Sequence, residues 1–208
     1  AQPKANPVVD EIPIEEQHNI IFKPNEGPQT TFLAAGEREV LYGGSAGGGK
    51  SYAMLADPLR YMGHPSFSGL LLRHTTEELR ELIFKSQEMY PKIWKGIKWS
   101  ERKMQWTAPS GARLWMSYLD REDDVLRYQG LAFSWIGFDE LTQWPSPFAW
   151  NYMRSRLRST APDLPVYMRA TTNPGGRGHH WVKKMFIDPA PAGRSFEAKD
   201  LETGEVLK

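Results

Sequence analysis

The sequence contains no cysteine in its 208 residues, which excludes a disulfide scaffold, a thiolate nucleophile and a cysteine-ligated zinc site. It has no run of 18 apolar residues, so no segment reads as a transmembrane helix. The start, AQPKANPVVDEIPIEE, lacks the apolar core of a signal peptide and carries proline and acid instead. A chain without signal or cysteine fits a cytoplasmic protein. Net charge is nearly absent too, with 26 Lys and Arg against 25 Asp and Glu. What remains, 40% hydrophobic and 25% charged residues, is ordinary for a globular protein, and the length suits one domain with a sizeable core.

The small net charge hides an asymmetry. Residues 1–26 carry a net −3, and residues 151–187 a net +6. Such a local basic excess attracts phosphate polymers even on a neutral chain, although a solvated basic surface has the same composition.

No internal repeat or low-complexity tract is present. Prolines at 3, 7, 13 and 24 make residues 1–26 an irregular arm. Beyond it the pattern predicts a short helix over Gln29–Ala35, a strand at Arg38–Tyr42, and a helix from Lys50 that Pro58 kinks or shortens. Tyr52, Leu55, Leu59 and Met62 share one face of that helix. Gly69–Arg73 is a continuously apolar, buried-type strand, and Thr75 with Glu78 forms a capping box for a helix over Thr76–Met89. Residues 93–119 hold four tryptophans and alternate apolar with polar, as in antiparallel hairpins. Those rings suit core packing, base stacking being the functional alternative. A strand over Phe133–Phe138, a helix over Pro147–Arg158, a strand over Val166–Ala170 and a short helix over His179–Ile187 follow. Alternating strands and helices predict an α/β fold with a mainly parallel sheet. The polar tail after Asp188 stops as another hairpin begins, so the sequence reads as a fragment of a longer protein.

Gly44-Ser45-Ala46-Gly47-Gly48-Gly49-Lys50-Ser51 fits the phosphate-loop pattern between a strand and a helix. Glycines let backbone N–H groups turn inward around phosphate oxygens. Lys50 suits the β- and γ-phosphates, and the Ser51 hydroxyl suits Mg²⁺. The helix N-terminus adds partial positive charge. A nucleotide site follows from these residues.

Hydrolysis further needs a carboxylate near the metal and a base for water. Asp139 and Glu140, at the end of the strand WIGF, supply both. Asp139 suits the ion's water shell at the carboxyl edge of the sheet, and Glu140 suits the general base. Gly137, a poor strand residue, leaves the register of this strand in question.

With these motifs and TTNPGG, the chain resembles the ATPase domain of the large terminase subunit, the DNA-packaging motor of tailed bacteriophages. FKPNEGPQ, LYGGSAGGGKS, GLLLRHT, RYQGLAFSWIGFDE and ATTNPGGRGHHWVKK occur in that family's order, from about Phe22 to Pro189. The resemblance implies a P-loop NTPase fold whose catalytic Glu follows the Walker B Asp. It implies an arm at 1–26, an ATPase domain at 27–190, and at 191–208 the start of a lid or linker towards a nuclease domain absent from this chain. The implied cofactors are ATP and Mg²⁺.

The resemblance also implies residue roles. Gln29 stands at the adenine-contacting position, its plain alternative being a polar helix start. Lys50 and Ser51 take the phosphate and metal roles, and Asp139 and Glu140 the metal and base roles. Thr171, Thr172 and Asn173 match the coupling motif; Thr and Asn can hydrogen-bond phosphate or lytic water without adding charge, while NPGG is also a turn signal. A neighbour's arginine finger is expected; Arg127 is the candidate and Arg73 the runner-up, and either can instead be a surface ion pair. Arg154, Arg156 and Arg158 beside Trp150 and Tyr152 are the candidate DNA contacts. Implied partners are double-stranded DNA, the portal protein, the small terminase subunit and further copies in a ring on the procapsid, with no membrane. Localisation is then the host cytoplasm, docked transiently on the procapsid and absent from the mature virion. His179 and His180 read as a helix-start pair rather than metal ligands, and no DNA cleavage is expected. A helicase, or a nucleotide-gated assembly module without turnover, are the competing readings.

Overall fold

A computed structural model describes residues 22–45, 47 and 49–207. Most of the expected arm, together with Ala46 and Gly48 of the phosphate loop, lies outside them. Helix α1 (Pro28–Ala34) leads into β1 (Glu39–Gly43), the phosphate loop and α2 (Lys50–Ala56). At Pro58 the backbone tightens into a 3₁₀ turn, Asp57–Tyr61, where the sequence predicts a kink. Tyr52 departs from the apolar face expected for it; it is exposed, under the Lys85 ammonium.

Strand β2 (Ser68–Arg73) is followed by α3 (Thr76–Ile93), and the reciprocal Thr75–Glu78 capping box is formed. α3 continues past Met89 through Pro91, so the proline falls in its last turn. Next come β3 (Lys98–Ser100), β4 (Gln105–Thr107) and β5 (Arg113–Tyr118), each antiparallel to the next as expected, with β5 also parallel to β2. A 3₁₀ segment, Glu122–Tyr128, precedes β6 (Trp135–Phe138). Helix α4 (Phe148–Arg154), β7 (Tyr167–Thr172) and α5 (His179–Val182), prolonged by a wide turn over Lys183–Ile187, complete the order. The seven strands lie in the order β1-β7-β6-β2-β5-β4-β3, parallel from β1 to β5.

Two apolar layers sandwich this sheet. On one face Leu71, Leu114 and Met116 pack against Met54 of α2 and Leu82 of α3. On the other, Leu70, Leu72 and Phe138 meet Trp150 of α4 and Trp181 of α5. The tryptophans of 93–119 belong to the packing: Trp106 is buried, and Trp94 and Trp99 rest against the first layer. Gly137 is explained by that packing. A Cβ there would stand 2.9 Å from Met54 Sδ and strike the Trp135 ring, so only glycine lets α2 approach β6. Among the described residues no helix is long and apolar enough to cross a membrane.

One helix is shorter than its pattern. α4 stops at Arg154 because residues 156–158 turn back to bond Phe133, whose N–H donates to Arg156 O (3.0 Å) and whose carbonyl accepts from Arg158 N–H (3.0 Å). Leu157 is buried by that bridge. The helix expected over Pro147–Arg158 therefore ends at Arg154, and Arg156 and Arg158 lie beyond it. Arg154 is buried and ion-paired to Glu39, with Nη2 donating to Oε2 at 2.9 Å, which removes it from any DNA-facing surface. Arg156 instead lies over the Tyr152 ring, 5.4 Å from its centroid, and Arg158 is exposed.

Candidate active site

Parallel pairing brings together residues far apart in the chain. β1 pairs with β7 so that Gly43 faces Thr172, setting the phosphate loop beside the Thr171–Asn173 segment. β6 lies between β7 and β2, which places Asp139 and Glu140 between Thr171 and Arg73. All these residues cluster at the carboxyl ends of four parallel strands, where open α/β sheets bind ligands.

Lys50 is buried, its ammonium donating to Ser45 O at 2.6 Å and Gly44 O at 3.1 Å, within the turn of the loop. Gly44, Gly47 and Gly49 all have positive φ, and Gly49 (φ 70) caps α2. A Cβ on Gly49 would come within 2.6 Å of Gln29 Nε2, so glycine there meets both a left-handed backbone and a close neighbour. Gln29 is buried, its Nε2 donating to Gly49 O (2.8 Å) and its Oε1 accepting from Asn25 N–H (2.6 Å). Its amide thus fastens α1 and the preceding loop to the start of the phosphate-loop helix. Ser51 follows Lys50 in the first turn of that helix.

The acidic pair is held from three sides. The Thr171 hydroxyl donates to Asp139 Oδ1 and accepts the Glu140 N–H at 3.1 Å. Asn173 Nδ2 donates to Glu140 Oε1 at 2.6 Å. Thr172 donates to the Thr142 hydroxyl at 2.8 Å, locking the segment after β7 against the turn after Glu140. Glu140 is in left-handed backbone, φ 63 and ψ 55, an unfavourable state for a side-chain-bearing residue. That conformation turns the chain at once into the Leu141–Gln143 turn and leaves the carboxylate beside Asn173. Burial pushes the Glu140 carboxyl above its ordinary value; the Asp139 charge adds to this, and Arg73 and Lys50 oppose it.

Asp139 is 1% exposed, and its Oδ2 has no hydrogen bond; it faces Arg73 Nε at 2.8 Å as an ion pair whose N–H is not aligned with it. Arg73 also lies 3.8 Å from Glu78 Oε1. Arg73 therefore does not fit the runner-up role of reaching into a neighbour, because it is buried beside the acids of its own chain. The buried Asn173 Oδ1 is also unbonded. A dry carboxylate with an open lone pair beside a hydroxyl-bearing phosphate loop suits a hard divalent cation such as Mg²⁺. Among the described residues no three His, Asp or Glu cluster to hold a metal by themselves, and Mg²⁺ at a phosphate loop draws its other ligands from phosphate and water.

Arg127 is not brought to this cluster. It is half exposed on the 3₁₀ segment, donating to Tyr118 O (2.9 Å) and Asp124 O (3.0 Å) and lying between the Tyr118 and Tyr128 rings. Sequence reasoning missed the contact of Arg73 with Asp139. Its only signal is that GLLLR ends a buried strand in a charge, which then needs a partner.

Residues 41–199 match the model of a family described as terminase large subunit, T4likevirus-type, N-terminal. No curated protein matches the chain. The fold is similar to that of the large terminase from a thermophilic bacteriophage, with TM-score 0.61 and 19% identity over 80% of this chain and 43% of that one. It is similar to the large terminase ATPase domain of Thermus phage P74-26, with TM-score 0.60 and 13% identity over 89% of this chain and 77% of that one. The same thermophilic-phage terminase in complex with ADP gives TM-score 0.59 and 20% identity, over 77% of this chain and 41% of that one. The chain thus spans less than half the length of that terminase, and likeness at these identities concerns the fold. With three quarters of its length inside the family match, and this sheet order, the chain belongs to the T4likevirus-type terminase large-subunit family.

Proposed function

We propose that the chain is the ATPase domain of a viral DNA-packaging motor, hydrolysing ATP with Mg²⁺ to translocate double-stranded DNA through a portal into a procapsid. The observation that carries the reading is the 2.6 Å bond from Asn173 Nδ2 to Glu140 Oε1 beside an unsaturated Asp139 and a phosphate loop. A nucleotide-gated module without turnover needs no half-buried, oriented base. The family match and the thermophilic-phage terminase complex with ADP support the nucleotide.

In this mechanism the loop N–H groups and Lys50 hold the β- and γ-phosphates, and Ser51 and Asp139 hold the cation. When bound, Mg²⁺ neutralises charge on the phosphate oxygens. Glu140 takes the proton of the attacking water, oriented by Asn173. Thr171 bridges both acids and β7, so a change at the phosphates is felt at the next strand. Gln29 sets the entrance of α2 and stands at the adenine position. Residues 27–190 form the motor domain and 191–208 begin a lid or linker. The motor assembles as a ring, with the portal and small subunit as partners, in the host cytoplasm.

Glu140 acts as a base only when deprotonated. Because its carboxyl is raised, the acid limb of the pH–rate profile should fall above the ordinary carboxylate range of about 4.3. An acid limb at or below that range would remove Glu140 as the base.

Arg127 is assigned to the neighbour's site. Turnover per chain should rise with protein concentration, and Arg127→Ala should lower turnover by about 10³-fold with nucleotide affinity unchanged. Mixing Arg127→Ala with Glu140→Gln should restore part of the activity, since each lacks what the other supplies. Concentration-independent turnover, or equal turnover by Arg127→Ala and parent, sinks the trans assignment.

A further inference from the structure

The sheet's outer edge carries a cationic surface that the nucleotide site does not use. Residues 92–103 contain Lys92, Lys95, Lys98, Arg102 and Lys103 against Glu101 alone. All five cations are exposed, and among the described residues none is in an ion pair. The strand register adds a sixth. Lys98 faces Thr107 on β4, and Thr107 faces Arg113 on β5, so the three stand in one row on one face of the sheet. Arg113 is exposed and lies over the Trp115 ring, 5.5 Å from its centroid. On the opposite face Trp99 and Trp106 pack into the core, so Lys98 and Arg113 stand on a rigid base.

We infer that this hairpin edge binds the phosphate backbone of double-stranded DNA, an inference that rests on the packaging reading of the site. Lysines on an edge strand also discourage strand pairing, but Lys92, Lys95, Arg102 and Lys103 lie off the three-residue strand β3. The surface offers flexible point charges and no helix shaped for a groove. It therefore suits sequence-independent contact, as a motor moving along any sequence requires. The edge is also joined to the nucleotide site. Arg73, paired with Asp139, reaches Glu78 at the capped start of α3. That helix runs 18 residues, about 27 Å, and delivers the chain to Lys95. The Arg154, Arg156 and Arg158 region has no comparable set, because Arg154 is buried on Glu39.

The test uses this chain and a fluorescein-labelled duplex of arbitrary sequence, with anisotropy read from about 50 to 200 mM salt. With about six phosphates contacted, the slope of log Kobs against log salt should be near −5.4 for the parent. The triple variant Lys98→Ala/Arg102→Ala/Lys103→Ala should bind at least tenfold more weakly, with a slope shallower by about 2.7. Lys92→Ala/Lys95→Ala should lose about 1.8 of slope independently, covering the case of a poorly folded triple variant. Arg156→Ala/Arg158→Ala should bind as the parent does. No duplex binding by the parent, parental slopes in both edge variants, or an equal loss in the Arg156/Arg158 variant overturns the inference. Basal ATP turnover, measured alongside, separates the two readings. Turnover without duplex binding removes this surface alone, whereas absence of turnover removes the motor reading.

Discussion

Glu140→Gln should lower ATP turnover by about 10³-fold or more while leaving nucleotide affinity close to that of the parent. The substitution keeps an oxygen for Asn173 Nδ2 at the same reach, so the 2.6 Å contact and the left-handed turn are retained. What disappears is the ability to accept the water proton, about 4 kcal/mol of barrier. Stability should not suffer. Burial and the Asp139 charge both work against ionised Glu140, so its carboxyl titrates higher in the folded chain than in the unfolded one. Proton binding then favours the fold, and the stability contributed by that group is lost as pH rises through its raised value. A neutral amide removes this penalty, and the variant should melt at or above the parent's temperature at pH 7. Turnover within tenfold of the parent would take the base role from Glu140. A loss accompanied by weakened nucleotide binding would instead point to a positional role.

The parts of the site that could be read from the sequence are those whose chemistry is local. A phosphate loop is a run of adjacent residues, because consecutive N–H groups must converge on one anion, and its glycines are written side by side. Asp139 and Glu140 are adjacent for a similar reason. The contact of Arg73 with Asp139 is different in kind. It exists because Leu72 pairs with Phe138, a register between strands that no local pattern encodes. The spacing of Arg154, Arg156 and Arg158 was legible, but its structural meaning was not. Leu157 is drawn into the core against Phe133, and this ends at Arg154 the helix expected over Pro147–Arg158. The cations of 92–103 could have been counted, yet the tryptophans between them gave the segment the look of core hairpin. Only the register separates the two faces, with Trp99 and Trp106 on one and Lys98 and Arg113 on the other. Gly137 reverses the pattern: a residue that weakens the strand on propensity is required by the helix lying across it.

Behind the site lies a buried charge network whose removal should have the largest effect on stability. Asp57, at the end of α2, is 1% exposed. Its Oδ2 accepts the Trp135 indole N–H at 2.8 Å and lies 3.8 Å from Arg169 Nε, while Oδ1 is 3.2 Å from Arg60. Arg169, on β7, is equally buried; it donates to Ala35 O (2.7 Å) and Glu37 O (2.9 Å) and stacks over Tyr167 at 4.4 Å. Burial pushes the guanidinium down from its ordinary value, and the Asp57 charge pulls it back. Asp57→Ala would leave that cation buried without its counterion and the indole without an acceptor. The expected loss is about 3–5 kcal/mol, and a fall in melting temperature on the order of 10 °C for a chain of this size. Asp57→Asn, which keeps an acceptor for Trp135 but removes the charge, should fall between the two. Melting within about 2 °C of the parent would mean that Arg169 finds water or another partner, against the burial described. The network also reaches function. Arg169 holds the Ala35 carbonyl at the end of α1, which carries Gln29, and two residues later its strand presents Thr171 to Asp139 and Glu140. Nucleotide affinity should therefore fall in Asp57→Ala at temperatures where the chain is still folded, because both walls of the phosphate site are anchored to the same buried pair.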